Sequence, residues 1–143
     1  MRLSCHRGRG RWVALVRDGG EERLVEGRRN GTTGNELEVL AGAELLAELP
    51  EAEPVTFFAP SDYLRLGASE WLAAWRRRGW RTAGGKAVKN QSAWQALSRQ
   101  LAGRTVHWRE SSEEPEVRKR LDQALRSSKG AETSQSGKKR GGR

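Results

Sequence analysis

Trp71–Trp94, WLAAWRRRGWRTAGGKAVKNQSAW, holds four of the six tryptophans, six of the 27 Lys and Arg residues, and no Asp or Glu. Its cations (Arg76, Arg77, Arg78, Arg81, Lys86, Lys89) interleave with the indoles of Trp71, Trp75 and Trp80. That pattern suits a polyanion with stacked rings: charge answers the phosphates, and planar side chains lie against sugars or bases. The plain alternative is a solvated basic helix whose tryptophans are core. The i, i+4 spacing of Trp71 and Trp75 puts both rings on one helix face, ahead of three consecutive arginines, and this favours the binding reading.

The rest of the chain sets the limits around that segment. At 143 residues there is room for one domain with one core. Hydrophobic content of 35% and a mean hydropathy of −0.83 describe a modest core with a polar surface or tail. No apolar run reaches the ~20 residues that cross a bilayer. The start, MRLSCHRGRGRW, is basic without the apolar region of a signal peptide, so a cytoplasmic location is expected. Cys5 is the only cysteine, which excludes an intramolecular disulfide and a cysteine-based metal cluster. A net charge of +9 and a pI near 10.7 favour an acidic partner, with nucleic acid ahead of a membrane surface. A monomer is expected.

Read in order, WVALV and RLVEG around Asp18-Gly19-Gly20 predict a β-hairpin. Thr33-x-x-Glu36 is a capping box opening a helix from about Asn35 to Leu49, with Leu37, Leu40, Ala41 and Leu45 on its apolar stripe. Val55–Ala59 is a short strand closed by Pro60. Two helices follow, one from Ser61 or Asp62 and a second over Ser69–Arg78, with Gly79 as a breaker and Gly84-Gly85 as a loop. A helix from Asn90 to Leu101, a strand at Thr105–Trp108, and a helix opened by Ser111-x-x-Glu114 and Pro115 complete the order. Val117, Leu121, Ala124 and Leu125 are the core positions of that last helix. Beyond Ser127 the sequence predicts a disordered basic tail, leaving a folded domain over 1–126 and a tail over 127–143. The order, β-β-α-β-α-α-α-β-α with room for one strand ahead, is an α/β layout.

These residues resemble the type 1 ribonuclease H family. Thr32-Thr33-Gly34-Asn35-Glu36-Leu37-Glu38 is similar to the family's TTNNxME motif, and WLAAWRRRGWRT with Val88-Lys89-Asn90 and Trp94 resembles its basic protrusion. Tyr63, Arg65 and Gly67 match the segment after the fourth strand, and Val106–Trp108 the fifth. The resemblance runs from about Gly8 to Arg126. It implies a ribonuclease H-like fold, a mixed five-stranded sheet flanked by helices. The implied ligand is an RNA–DNA hybrid, with Thr33 and Asn35 near a backbone phosphate and the protrusion on the DNA strand.

The chemistry implied is two-metal phosphodiester hydrolysis with Mg²⁺ or Mn²⁺, held by four carboxylates. Glu38 matches the helix glutamate, and Asp122 matches the last aspartate if DQALR aligns with the family's DELAR. The other two are missing: Arg2 stands where the first strand carries its aspartate, and Pro60 where the fourth strand carries another. Asp62 lies two residues past that position. The family's Gly-His loop is replaced by Arg109–Glu114, and neither His6 nor His107 matches it. The implied first strand is truncated: either the true start lies upstream of Met1, or the sheet is short at its centre. The resulting expectation is a hybrid-binding protein with an impaired site, in which Glu38 and Asp122 are remnants able to hold metal only weakly. Two alternatives stand beside it: an active hybrid endoribonuclease with unusual ligands, and an interaction scaffold.

Overall fold

The computed structural model describes residues 1–18, 20–111 and 114–132. They form two compact units, one of residues 1–37 with the C-terminal helix, the other Glu38–Ser111.

In the first unit, β1 (Arg2–His6), β2 (Arg9–Asp18) and β3 (Glu21–Asn30) form an antiparallel sheet in that order. Asp18 pairs with Glu21, and Gly20 between them has φ +92. Primed two-residue turns need that backbone freedom. The central strand is covered on both faces, which is why WVALV is a continuous apolar run instead of an alternating one. Val13 packs on Val117 and Leu121 of α5 (Pro115–Glu132), with Leu15, Ala124 and Leu125 partly buried beside them. On the other face Trp12 lies over Gly27, where a Cβ would sit 2.3 Å from the indole Nε1. A bulky ring and a bare backbone are therefore matched across the ladder. Gly27→Ala should cost about 1–3 kcal/mol of stability through overpacking, measured as a lower urea midpoint with unchanged slope.

The second unit contains most of α1 (Gly34–Ala47), then β4 (Val55–Phe58), α2 (Asp62–Leu66), α3 (Leu72–Arg77), α4 (Gln91–Leu101) and β5 (Val106–Arg109). Strands β4 and β5 pair in parallel, and Phe57 stacks on Trp108 with centroids 4.7 Å apart. Val39, Leu46, Leu64, Trp94 and Leu97 are the fully buried centre of this unit. Arg104 fastens the end of α1: its guanidinium donates to the carbonyls of Leu46, Leu49 and Pro50 at 3.0–3.2 Å. A cation there answers both the orphan carbonyls and the negative end of the helix dipole.

The α/β class, with antiparallel and parallel pairing flanked by helices, is as expected, and β1 is the strand with room ahead of the hairpin. Four differences matter. The resemblance implies one five-stranded sheet, whereas the described residues hydrogen-bond as a three-stranded and a two-stranded sheet. The two helices expected over 61–78 are one run, because a π-helical turn at Gly67–Trp71 links α2 to α3 without a break. The Ser111 capping box does not form: its hydroxyl donates to the Ala59 carbonyl at 3.0 Å, and α5 begins at Pro115. Finally, α5 extends to Glu132, five residues past the expected start of the tail at 127, and residues 133–143 lie outside the described ones.

Candidate nucleic-acid interface

The protrusion is built outward from Trp94, which is fully buried. A buried indole N–H needs an acceptor, and the Tyr63 hydroxyl supplies it at 3.1 Å. The same oxygen takes a bond from the Asn90 amide at 3.1 Å, tying the start of α4 to α2. Gly67 makes the approach possible, since a Cβ there would lie 2.1 Å from the Trp94 ring. From this anchor the rings form a ladder. Tyr63 and Trp94 meet at 5.4 Å, Trp94 and Trp75 edge-on at 5.2 Å, and Trp75 and Trp71 at 6.0 Å. Trp71 is the outermost rung, 39% exposed. The expectation that Trp71 and Trp75 share a face is met, with Trp75 half-buried as the link between core and surface.

After α3 the chain turns back through Gly79 (φ +66) and Trp80 (φ +67), and the Trp80 amide bonds to the Trp75 carbonyl at 2.7 Å. A miniature hairpin follows, closed by Thr82 to Lys86 at 2.7 Å, Val88 to Trp80 at 3.0 Å and the Arg81–Ala87 bridge. It holds Lys86 and Lys89 in exposed positions. The arginines divide by role. Arg76 reaches back to the Ser98 hydroxyl at 3.2 Å, and Arg81 donates to the Gly85 carbonyl at 2.9 Å. These two brace the loop as well as adding charge. Arg77 and Arg78 are exposed at the C-terminal end of α3, where they also complement the helix dipole.

Residues matched to the phosphate and carboxylate positions sit at the start of α1. The Thr33 hydroxyl accepts the Glu36 N–H at 3.2 Å, one half of the capping box. The other half is diverted, since Glu36 accepts from Thr32 at 2.8 Å. Thr33 and Asn35 are exposed. Glu38 is buried at 6% exposure and accepts a bond from the Ser61 hydroxyl at 2.6 Å. Burial pushes its carboxyl above the usual range, and the Ser61 hydroxyl and Leu64 amide pull it back only in part.

A raised folded-state value means ionisation costs stability, and this cost sets in as pH rises through the carboxylate range and persists above it. Glu38→Gln retains the Ser61 contact and removes the cost. It should melt higher than the parent at pH 7, with the difference closing near pH 4, a comparison that thermal scans at both pH values make directly.

Asp122 takes the opposite partner. In its own unit, Arg2 donates to it from Nε at 2.9 Å and Nη2 at 2.8 Å. Leu121 is buried, 4% exposed, and Asp122 beside it is half-exposed. Pro60 brings no donor side chain. Asp62 is exposed and paired with Arg65 at 2.8 Å, which occupies the carboxylate that lies nearest in sequence to Pro60. Among the described residues no group of three or more His, Cys, Asp or Glu is placed to hold a metal ion. From sequence, Tyr63 is placed only as a family match and Ser61 only as a helix start, and Ser98 has no role. The signal for Tyr63 was available, because a buried tryptophan implies an acceptor, whereas the partners of Ser61 and Ser98 appear only on folding.

The aromatic ladder, the basic hairpin and the mixed α/β frame define a protein of the RNase H class. The chain belongs to the RNase H family, whose model matches residues 3–110. It is 42% identical over 101 residues to ribonuclease HI of Pseudomonas aeruginosa, a match covering 71% of this chain and 68% of that protein. With ribonuclease H of Bordetella pertussis it shares 44% identity over 102 residues, 71% of this chain and 66% of the relative. Among solved structures, LC9-RNase H1, a type 1 RNase H with the type 2 active-site motif, superimposes with a TM-score of 0.70 at 23% identity. That match covers 90% of this chain and 69% of the other. A foamy viral protease-reverse transcriptase in complex with an RNA/DNA hybrid gives 0.62 at 16% identity, covering 86% and 19%. No helix among the described residues is long and apolar enough to cross a membrane.

Proposed function

We propose that this chain binds RNA–DNA hybrid without cutting it, holding the duplex on Trp71, Trp75 and the surrounding cations. One observation carries the reading: the Asp122 carboxylate is engaged by the Arg2 guanidinium at 2.8–2.9 Å. In the resemblance, Arg2 stands at a carboxylate position, so a ligand has been exchanged for a cation that neutralises a second ligand. The family's Mg²⁺ or Mn²⁺ pair does not fit the donors present. Hard divalent cations require ionised oxygens. Burial makes ionising Glu38 costly, Asp122 is matched by Arg2, and Pro60 offers none.

The polyanion-binding half keeps its parts. A net charge of +9, an exposed indole and the Arg77, Arg78, Lys86 and Lys89 side chains all support attraction to phosphate and stacking on a sugar or base. The relatives' ribonuclease H activity and the neighbour's bound RNA/DNA hybrid make hybrid the favoured partner. Losing negative charge near phosphates strengthens ground-state binding while sacrificing the step that divalent cations supply.

The test is fluorescence anisotropy with labelled hybrid, in EDTA and in Mg²⁺ at matched ionic strength, beside duplex DNA. Equal affinity in both buffers, tighter for hybrid than for duplex DNA, is expected. No preference for hybrid would favour a scaffold role, and binding that needs Mg²⁺ would restore the metal site.

A further inference from the structure

The ion pair of Arg2 and Asp122 leaves part of the arginine unused. Arg2 opens β1 and stands opposite Val13, so the two side chains share the sheet face that α5 covers. Leu121 packs on Val13, which brings the next residue of α5, Asp122, to the guanidinium. Contact is made along one edge: Nε at 2.9 Å and Nη2 at 2.8 Å both lie on Oδ1. A guanidinium carries five N–H groups in a rigid planar fork, and an Nε–Nη2 contact occupies only its side edge. The end edge, made of Nη1 and the outer N–H of Nη2, has no partner among the described residues. The Arg2 side chain is 43% exposed, so a ligand can reach it.

This state suits Arg2 to a particular kind of anion. A loose surface arginine gives up rotamer freedom when it takes a ligand, whereas Arg2 is already held by Asp122. Two parallel N–H groups on one plane match two oxygens of a phosphodiester. The Asp122 charge weakens attraction for a lone anion. The contact therefore fits a phosphate delivered by a duplex that the +9 chain already attracts.

We propose that Arg2, held in place by Asp122, grips one backbone phosphate of the duplex through its end edge. This contact rests on the hybrid-binding reading and adds to it a residue outside the protrusion. Being a charge contact, it registers as counterion release.

Labelled hybrid is titrated at about 50 to 200 mM salt with the parent chain, Arg2→Gln, Arg2→Lys, Arg118→Gln and Trp71→Ala. Arg118, exposed on α5, controls for the loss of one charge. Arg2→Gln should flatten the slope of log K against log salt by roughly 1, the value for one phosphate contact, with Arg118→Gln at the parent's slope. Arg2→Lys keeps the charge and loses the fork, so it should bind about tenfold more weakly at the parent's slope, one charge-assisted hydrogen bond having gone. If Arg2→Gln melts too low to titrate, Arg2→Lys decides, and parental affinity there overturns the proposal. So does an unchanged slope in Arg2→Gln, or equal flattening in Arg118→Gln, which would make the effect one of net charge. Weaker binding by Trp71→Ala beside an unchanged Arg2→Gln slope keeps the protrusion and removes this contact. A silent Trp71→Ala beside a flattened Arg2→Gln slope defeats the protrusion and leaves this contact standing. A parent chain that does not bind hybrid overturns both.

Discussion

Trp71→Ala weakens hybrid binding about 5- to 150-fold in the expected result, the equivalent of the ~1–3 kcal/mol that one aromatic stacking interaction contributes. Trp71 is the outermost rung of the ladder and is 39% exposed, so its ring has a face available to a base or sugar. Because it is exposed, removing it should leave the melting temperature within a degree or two. That separation between binding and stability distinguishes a platform from a core residue. If affinity holds while stability drops, Trp71 is packing, and the protrusion is an ordinary basic helix.

Trp94→Ala is the second large effect, and it falls on stability. The ring is fully buried, receives Trp75 edge-on at 5.2 Å, and donates to Tyr63. Truncating a buried tryptophan costs about 3–5 kcal/mol. A domain of this size is stable by only ~5–15 kcal/mol, so the variant should be marginal in urea unfolding. Hybrid binding should fall with it, because Trp75 and then Trp71 lose the ring they lean on. A variant that melts normally would mean that Trp94 is not the anchor.

Much of this was legible in the chain. Trp71 and Trp75 at helical spacing gave the shared face on which the two rings meet. The WVALV run and the turn signal after it gave the hairpin of β2 and β3. Other features depend on long-range pairing that no local pattern encodes. The π-helical turn at Gly67–Trp71 arises where Gly67 meets the ring of Trp94, far along the chain. Ser111 has the spacing of a helix cap, yet its hydroxyl is drawn to Ala59. The state of the carboxylates was half readable: in the resemblance, Arg2 and Pro60 stand at two positions where carboxylates are implied. That Asp122 is engaged by Arg2, and that Glu38 is buried against Ser61, are facts of the folded protein.

The central claim is binding without cleavage, and one assay addresses it. An end-labelled RNA–DNA hybrid is incubated with the full chain in Mg²⁺ and in Mn²⁺, at concentrations that saturate binding, beside Glu38→Gln. An intact RNA strand is expected in every lane. RNA cleavage by the parent that disappears with Glu38→Gln would contradict it, showing that Glu38 still serves a working metal site.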